Sequence, residues 1–94
     1  MEYRRFGNTI YLRLDPKEEI LEEIGKVAEK ENIRLAQVTG LGAINDFTAG
    51  VYNTVTKEYH SIQFQGAYEI VSLTGTVTRK DGDVYLHLHI AAGD

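Results

Sequence analysis

The 94-residue sequence has no cysteine, no tryptophan and a single proline. Without cysteine there is no disulfide and no thiolate zinc site, and a reducing compartment is the natural setting. Long apolar runs are also missing. The opening stretch MEYRRFGNTIYLRLDP holds no apolar segment of signal-peptide or membrane-span length, so the cytoplasm is expected and a membrane partner is not. Basic charge is scarce: ten Lys and Arg stand against fourteen Asp and Glu, for a net charge of −4. Nucleic-acid binders draw most of their affinity from phosphate neutralisation and counterion release, which needs a basic patch. The only basic clusters along the chain are Arg4-Arg5 and Arg79-Lys80. Neither is interleaved with aromatics, and no Arg-Gly-Arg-Pro-like run occurs. An isolated chain is therefore expected to bind DNA weakly and without sequence preference. Gly40-Leu41-Gly42-Ala43 has no third glycine and no following Lys-Ser/Thr, so it is not a phosphate loop; close backbone packing or a bulge suits it better. No Ser-His-Asp or Cys-His order can be assembled, and the chain reads as non-enzymatic more readily than as an enzyme.

What is present suits one domain of 94 residues, with 43% hydrophobic and 26% charged residues. Residues 3–6 and 9–14 are β-prone and flank Gly7-Asn8, giving a hairpin or one bent strand. Asp15-Pro16 is expected to open a helix, with Asp15 as the cap and Pro16 in the first position. Glu18, Glu19, Glu22 and Glu23 favour the N-terminal half through the helix dipole, and Lys26 and Lys30 the C-terminal half. Ile20, Leu21, Ile24, Val27 and Ala28 form one apolar stripe at helical spacing. The helix should end near Asn32. Beyond it the period becomes that of strands, at 35–41, 47–52, 58–64, 68–78 and 84–92, with Gly66 as punctuation. The fold class is α/β of the α+β type, a mostly antiparallel sheet with one main helix.

The last hairpin can be set residue by residue. Asp81-Gly82 is a favoured two-residue type I′ turn. With it as the loop, Thr78 faces Tyr85, Thr76 faces His87 and Thr74 faces His89. On the other face Val77 meets Leu86, Gly75 meets Leu88 and Leu73 meets Ile90. This register sorts Ser72, Thr74, Thr76, Tyr85, His87 and His89 onto a polar face, and a slip of one residue would destroy the sorting.

His87-Leu88-His89 is the sharpest chemical feature. Two residues apart on a strand, both imidazoles share a face with Cα atoms about 6.6 Å apart. Zinc, nickel, copper and iron(II) all accept imidazole, and zinc is the foremost candidate. A third ligand would have to come from His60, a carboxylate or a neighbouring subunit. The alternative is a pair of surface histidines on a solvated sheet. Glu69 shares the parity of Val71 and Leu73, the apolar face. It is a base or ligand, or, as favoured, a strand-end carboxylate bonded to an amide or an arginine. The six tyrosines are read as sheet-packing residues.

Four segments in order carry a resemblance. Gln37-Val38-Thr39-Gly40-Leu41-Gly42-Ala43, Lys57-Glu58-Tyr59, the run from Gly66 to Gly75 (GAYEIVSLTG), and Lys80-Asp81-Gly82 followed by Leu86-His87-Leu88-His89-Ile90 together resemble the PPC (plants and prokaryotes conserved) domain of the prokaryotic stand-alone type. The resemblance spans nearly the whole chain. It implies a mixed α/β fold, a homotrimer and a role in DNA binding or transcription, since plant members accompany AT-hooks. It also implies a metal held by a His-x-His pair and a later Gly-Gly-His; His87 and His89 match the first two ligands. The family segment that contacts partner proteins corresponds to Gly66, Tyr68, Glu69 and Ile70, with Ala67 where an arginine stands. The chain reaches Asp94 directly after the His-x-His strand, so a single domain over 1–94, incomplete at its C-terminus, is expected. Two other readings compete: a metal-dependent enzyme or small-ligand binder using the His87/His89 face, and a structural assembly module.

Overall fold

The helix starts later than its cap signal indicates, and the reason lies in one turn. In the computed structural model, which describes residues 1–94, the elements are β1 (Glu2–Phe6), β2 (Thr9–Arg13), α1 (Ile20–Lys30), β3 (Ala36–Asn53), β4 (Glu58–Lys80) and β5 (Asp83–Gly93). Asp15-Pro16 does not open α1. Lys17 takes φ 74° and the Glu18 amide donates to the Asp15 carbonyl at 3.2 Å. Proline second and a positive φ third is the pattern of a type II turn, which no helix can continue. The turn is held because the Met1 ammonium donates to Asp15 Oδ2 and lies against Glu18 Oε1, each at 2.7 Å. Glu19 caps the helix instead, accepting from the Glu22 amide at 2.5 Å.

The far end of α1 follows the expectation. Asn32 adopts φ 50°, its amide donates to the Glu29 carbonyl and the Ile33 amide to that of Ala28, a Schellman closure. Val27 and Ala28 are buried, Ile24 is half-buried, and Leu21 proves exposed, so the stripe is narrower than its spacing suggested.

The two sheets are the pair β1-β2 and the three-stranded β3-β4-β5. The class is α+β with one main helix and a predominantly antiparallel sheet, as expected from sequence. The chain divides into two compact units: Met1–Ala36 with Thr76–Leu86, and Gln37–Gly75 with His87–Asp94.

In the first unit β1 and β2 form a true hairpin, Phe6 pairing with Thr9 and Glu2 with Arg13. Its inner side is tied to α1: the Tyr3 hydroxyl and the Arg5 guanidinium donate to Glu31 at 3.0 and 3.1 Å. These donors hold the Glu31 carboxyl below its usual range, Arg5 contributing most. Arg79 of β4 donates to the carbonyls of Ile33 at 2.9 Å, Ala28 at 3.3 Å and Gly82 at 3.2 Å, and to Glu29 at 3.1 Å. One guanidinium thus closes the helix C-terminus and the β4–β5 turn. Val77 is buried at 2% exposure, and with Val27 and Ala28 it makes up the buried apolar core of this unit.

In the second unit the strands are longer than predicted. The stretches predicted at 35–41 and 47–52 merge into β3, which begins at Ala36 and leaves Leu35 outside, and 58–64 and 68–78 merge into β4. Gly66 does not break the chain. At φ 142° it lets β4 bend and continue where an L side chain would be strained, and Gly42 does the same within β3. Gly40-Leu41-Gly42-Ala43 is therefore strand, with the Leu73 side chain packed close against Gly40. Phe47 and Phe64 stack at 5.2 Å, and Tyr68 meets both rings edge-on. Ile70 is the one buried hydrophobic residue of this unit, while Leu41, Val51, Val55, Ile62 and Val71 are all exposed.

Alternation along β4 changes phase. Tyr68 and Ile70 are covered, Val71 and Ser72 are both exposed, and Leu73, Gly75 and Val77 are covered again. Two consecutive open residues are the mark of a bulge. This corrects the assignment of Glu69 and Val71 to the apolar face: both point outward.

Candidate functional site

The Asp81-Gly82 turn places the histidines. Both residues have positive φ, 54° and 88°, as a type I′ turn requires. The register then runs as predicted. A Cβ on Gly75 would fall on the His87 carbonyl oxygen and 2.7 Å from Leu88 Cα, so Gly75 lies opposite Leu88 with no room for a side chain. Along β5 every odd residue from Asp83 to Ala91 is exposed and Val84, Leu86, Leu88 and Ile90 are half-buried. His87 and His89 therefore project together on the open face, with Thr74 and Thr76 exposed on β4.

Their rings lie with centroids 5.1 Å apart, tilted by 36°, and Nε2 to Nε2 is 3.1 Å. At that distance one nitrogen donates and the other accepts, so the pair favours opposite tautomers. The same separation is near that of two nitrogens bound to one zinc ion at about 2.0–2.1 Å each. The donor set fits half of such a site: two imidazoles converge, and no group of three His, Cys, Asp or Glu residues is assembled. His60 is not brought to the pair. It lies on β4 with Glu58 at 3.4 Å, both exposed. Acidic residues are thin in this unit, only Asp46, Glu58, Glu69 and Asp94.

The segment proposed for partner contact is split by its own strand geometry. Tyr68 is turned toward Phe47 and Phe64, and its ring lies 3.4 Å from the Cβ position of Gly66. Ile70 is buried. Gly66 and Glu69 are open to solvent.

Reading along the chain missed the outer side of the β1–β2 hairpin. Arg4, Phe6, Tyr11 and Arg13 share it, although Arg4 and Arg13 are nine residues apart in sequence. Two-residue alternation on either side of Gly7-Asn8 was the available signal.

The model of the Plants and Prokaryotes Conserved (PCC) domain matches residues 1–94. Among solved structures, a candidate DNA-binding protein of Bacteroides thetaiotaomicron superposes with a TM-score of 0.93 at 32% identity, over 98% of this chain and 64% of that one. A metal-containing protein of Archaeoglobus fulgidus gives 0.84 at 31% identity, over 88% and 59%. A plant- and prokaryote-conserved (PPC) protein of Pyrococcus horikoshii gives 0.82 at 35% identity, over 88% and 58%. The chain thus spans 58–64% of the length of these relatives. No protein of curated function matches it.

Proposed function

Because the chain belongs to the Plants and Prokaryotes Conserved (PCC) domain family, we propose that it is a non-enzymatic, self-associating domain that works with DNA or transcriptional complexes. The observation that carries this reading is the likeness over 98% of the chain to a protein described as a candidate DNA-binding protein. The chain acts in the cytoplasm; none of its helices is long and apolar enough to cross a membrane. Residues 1–94 belong to a single PCC domain of which they are a part, and three copies assemble, with the exposed apolar residues of the second unit covered between them. Gly66 and Glu69 face the contact with protein partners, and Tyr68 and Ile70 support it from within the strand. Affinity for DNA is weak, in keeping with the net charge of −4. Electrophoretic shift at several salt concentrations tests this. Retardation that weakens with salt supports it, and a sub-micromolar, sequence-specific complex at physiological salt contradicts the weak, non-specific mode.

A second reading rests on the Nε2 separation of 3.1 Å and on the likeness to a metal-containing protein. In it His87 and His89 hold a divalent ion, zinc foremost, with further ligands from a carboxylate or a neighbouring copy. The ion would supply Lewis acidity for a metal-dependent enzyme or a small-ligand binder. Imidazole binds metal only when neutral, so affinity falls as pH drops. Elemental analysis of the purified protein decides. An unchanged metal content in a variant carrying both His87→Ala and His89→Ala would remove the site.

A further inference from the structure

The β1–β2 hairpin has one side committed and one side open. Tyr3, Ile10 and Leu12 are half-buried, and Tyr3 and Arg5 bond Glu31 of α1. Directly paired residues of an antiparallel ladder project to the same face. The register Glu2 with Arg13, Arg4 with Tyr11 and Phe6 with Thr9 therefore gathers these six side chains on the opposite face. Phe6 is 60% and Tyr11 73% exposed, and their rings meet edge-to-face at 6.4 Å. Arg4 is exposed and makes no ion pair or hydrogen bond through its side chain. The Arg13 guanidinium is 71% exposed, with Glu2 at 3.7 Å and Asp15 at 3.6 Å, both longer than a hydrogen bond. A shallow depression of about 220 Å³ runs among these residues.

We propose that this face binds single-stranded nucleic acid, its bases stacking on Phe6 and Tyr11 and its phosphates meeting Arg4 and Arg13. The inference rests on the nucleic-acid reading above and names the surface and the form of the ligand. Stacking on aromatic side chains beside cationic groups is how proteins hold single strands without reading sequence, because every base has a π-face. A duplex hides those faces within its stack, so Phe6 and Tyr11 could not stack on them. The charge is nearly balanced: Arg13 lies between Glu2 on the face and Asp15 at its edge, and Arg4 is the free cation that meets phosphate. Binding is accordingly weak, tolerant of sequence and sensitive to salt. Nothing on the face selects the 2′-hydroxyl, so DNA and RNA strands bind alike.

The test is fluorescence anisotropy of labelled twenty-nucleotide oligothymidylate, oligouridylate and a duplex of equal length, titrated with the full chain at two salt concentrations. The single strands are expected to bind more tightly than the duplex. Tyr11→Ala should weaken binding about tenfold at both salts. Arg4→Ala should lower the salt slope by about 0.7. Glu2→Gln, which removes one of the two carboxylates beside Arg13, should tighten binding about two- to threefold. All three residues are exposed, so melting temperature checks that the variants fold. Tighter binding to duplex, or single-strand binding that the three variants leave unchanged, overturns this surface while leaving the broader reading in place. No binding to any of the three probes overturns both.

Discussion

The two units of the chain are built from the same number of residues but from different chemistry. Of ten Lys and Arg residues only Lys57 lies in the second unit, and of fourteen Asp and Glu only Asp46, Glu58, Glu69 and Asp94. The first unit is charged and internally closed: the helix is capped at both ends, and Arg79 and Glu31 each bond several partners within it. The second holds all three histidines, has one buried hydrophobic residue and leaves Leu41 89% and Val55 87% exposed. The difference teaches where each kind of interaction is satisfied. In the first unit Arg79, Glu31 and the Met1 ammonium find their partners within it and Arg4 on the outer hairpin face is left free, whereas the second unit leaves mainly apolar surface open.

The largest effect should come from the second unit, at Gly75, where backbone rather than a movable side chain fills the space. Gly75→Ala puts a methyl group on the His87 carbonyl, and a loss of about 3 kcal/mol is expected from overpacking against backbone. Urea unfolding measures it. A variant as stable as the parent would show that the His87 strand is not held as described. In the first unit Arg79→Ala strips the donor from the carbonyls of Ile33, Ala28 and Gly82. These are partly reachable by water, so about 2 kcal/mol should be lost, and Arg79→Lys should recover only part because an ammonium cannot reproduce the guanidinium fork.

Ile62→Asp separates the units in another way. Ile62 is 63% exposed, so the folded monomer should change by less than about 0.5 kcal/mol, while self-association measured by light scattering should drop sharply. Loss of monomer stability with unchanged mass in solution would reverse that assignment.

The smallest effect is a pH dependence confined to the first unit. Bonds from the Met1 ammonium hold Asp15 and Glu18 below their ordinary values of 3.8 and 4.5, and Arg5 does the same for Glu31. Stability from these carboxylates is present above those values and is lost as pH falls through the lowered ones. The Met1 ammonium is raised above 8.0, chiefly by its hydrogen bond to Asp15. Its contribution is full below pH 8 and is lost as pH rises through the raised value. Hydrogen exchange should place both losses at α1 and the Asp15–Glu18 turn. Equal weakening of β3 would break the contrast.

Local pattern determined a good deal of this protein. The Asp81-Gly82 turn, the alternation of Val84, Leu86, Leu88 and Ile90, the shared face of His87 and His89, the helix closure at Asn32 and the α+β class all follow from neighbours a few residues apart. Turn chemistry and side-chain periodicity act at that range. Tertiary structure decided what depends on distant partners. A cap-like Asp15-Pro16 became a turn because the Met1 ammonium and Lys17 backbone settled it there. Gly42 and Gly66 stayed within strands because neighbouring strands continue past them. Glu69 faced outward because a bulge shifted the phase of β4. The face of Arg4, Phe6, Tyr11 and Arg13 exists only through strand pairing, since adjacency across a ladder is set by register rather than by sequence distance.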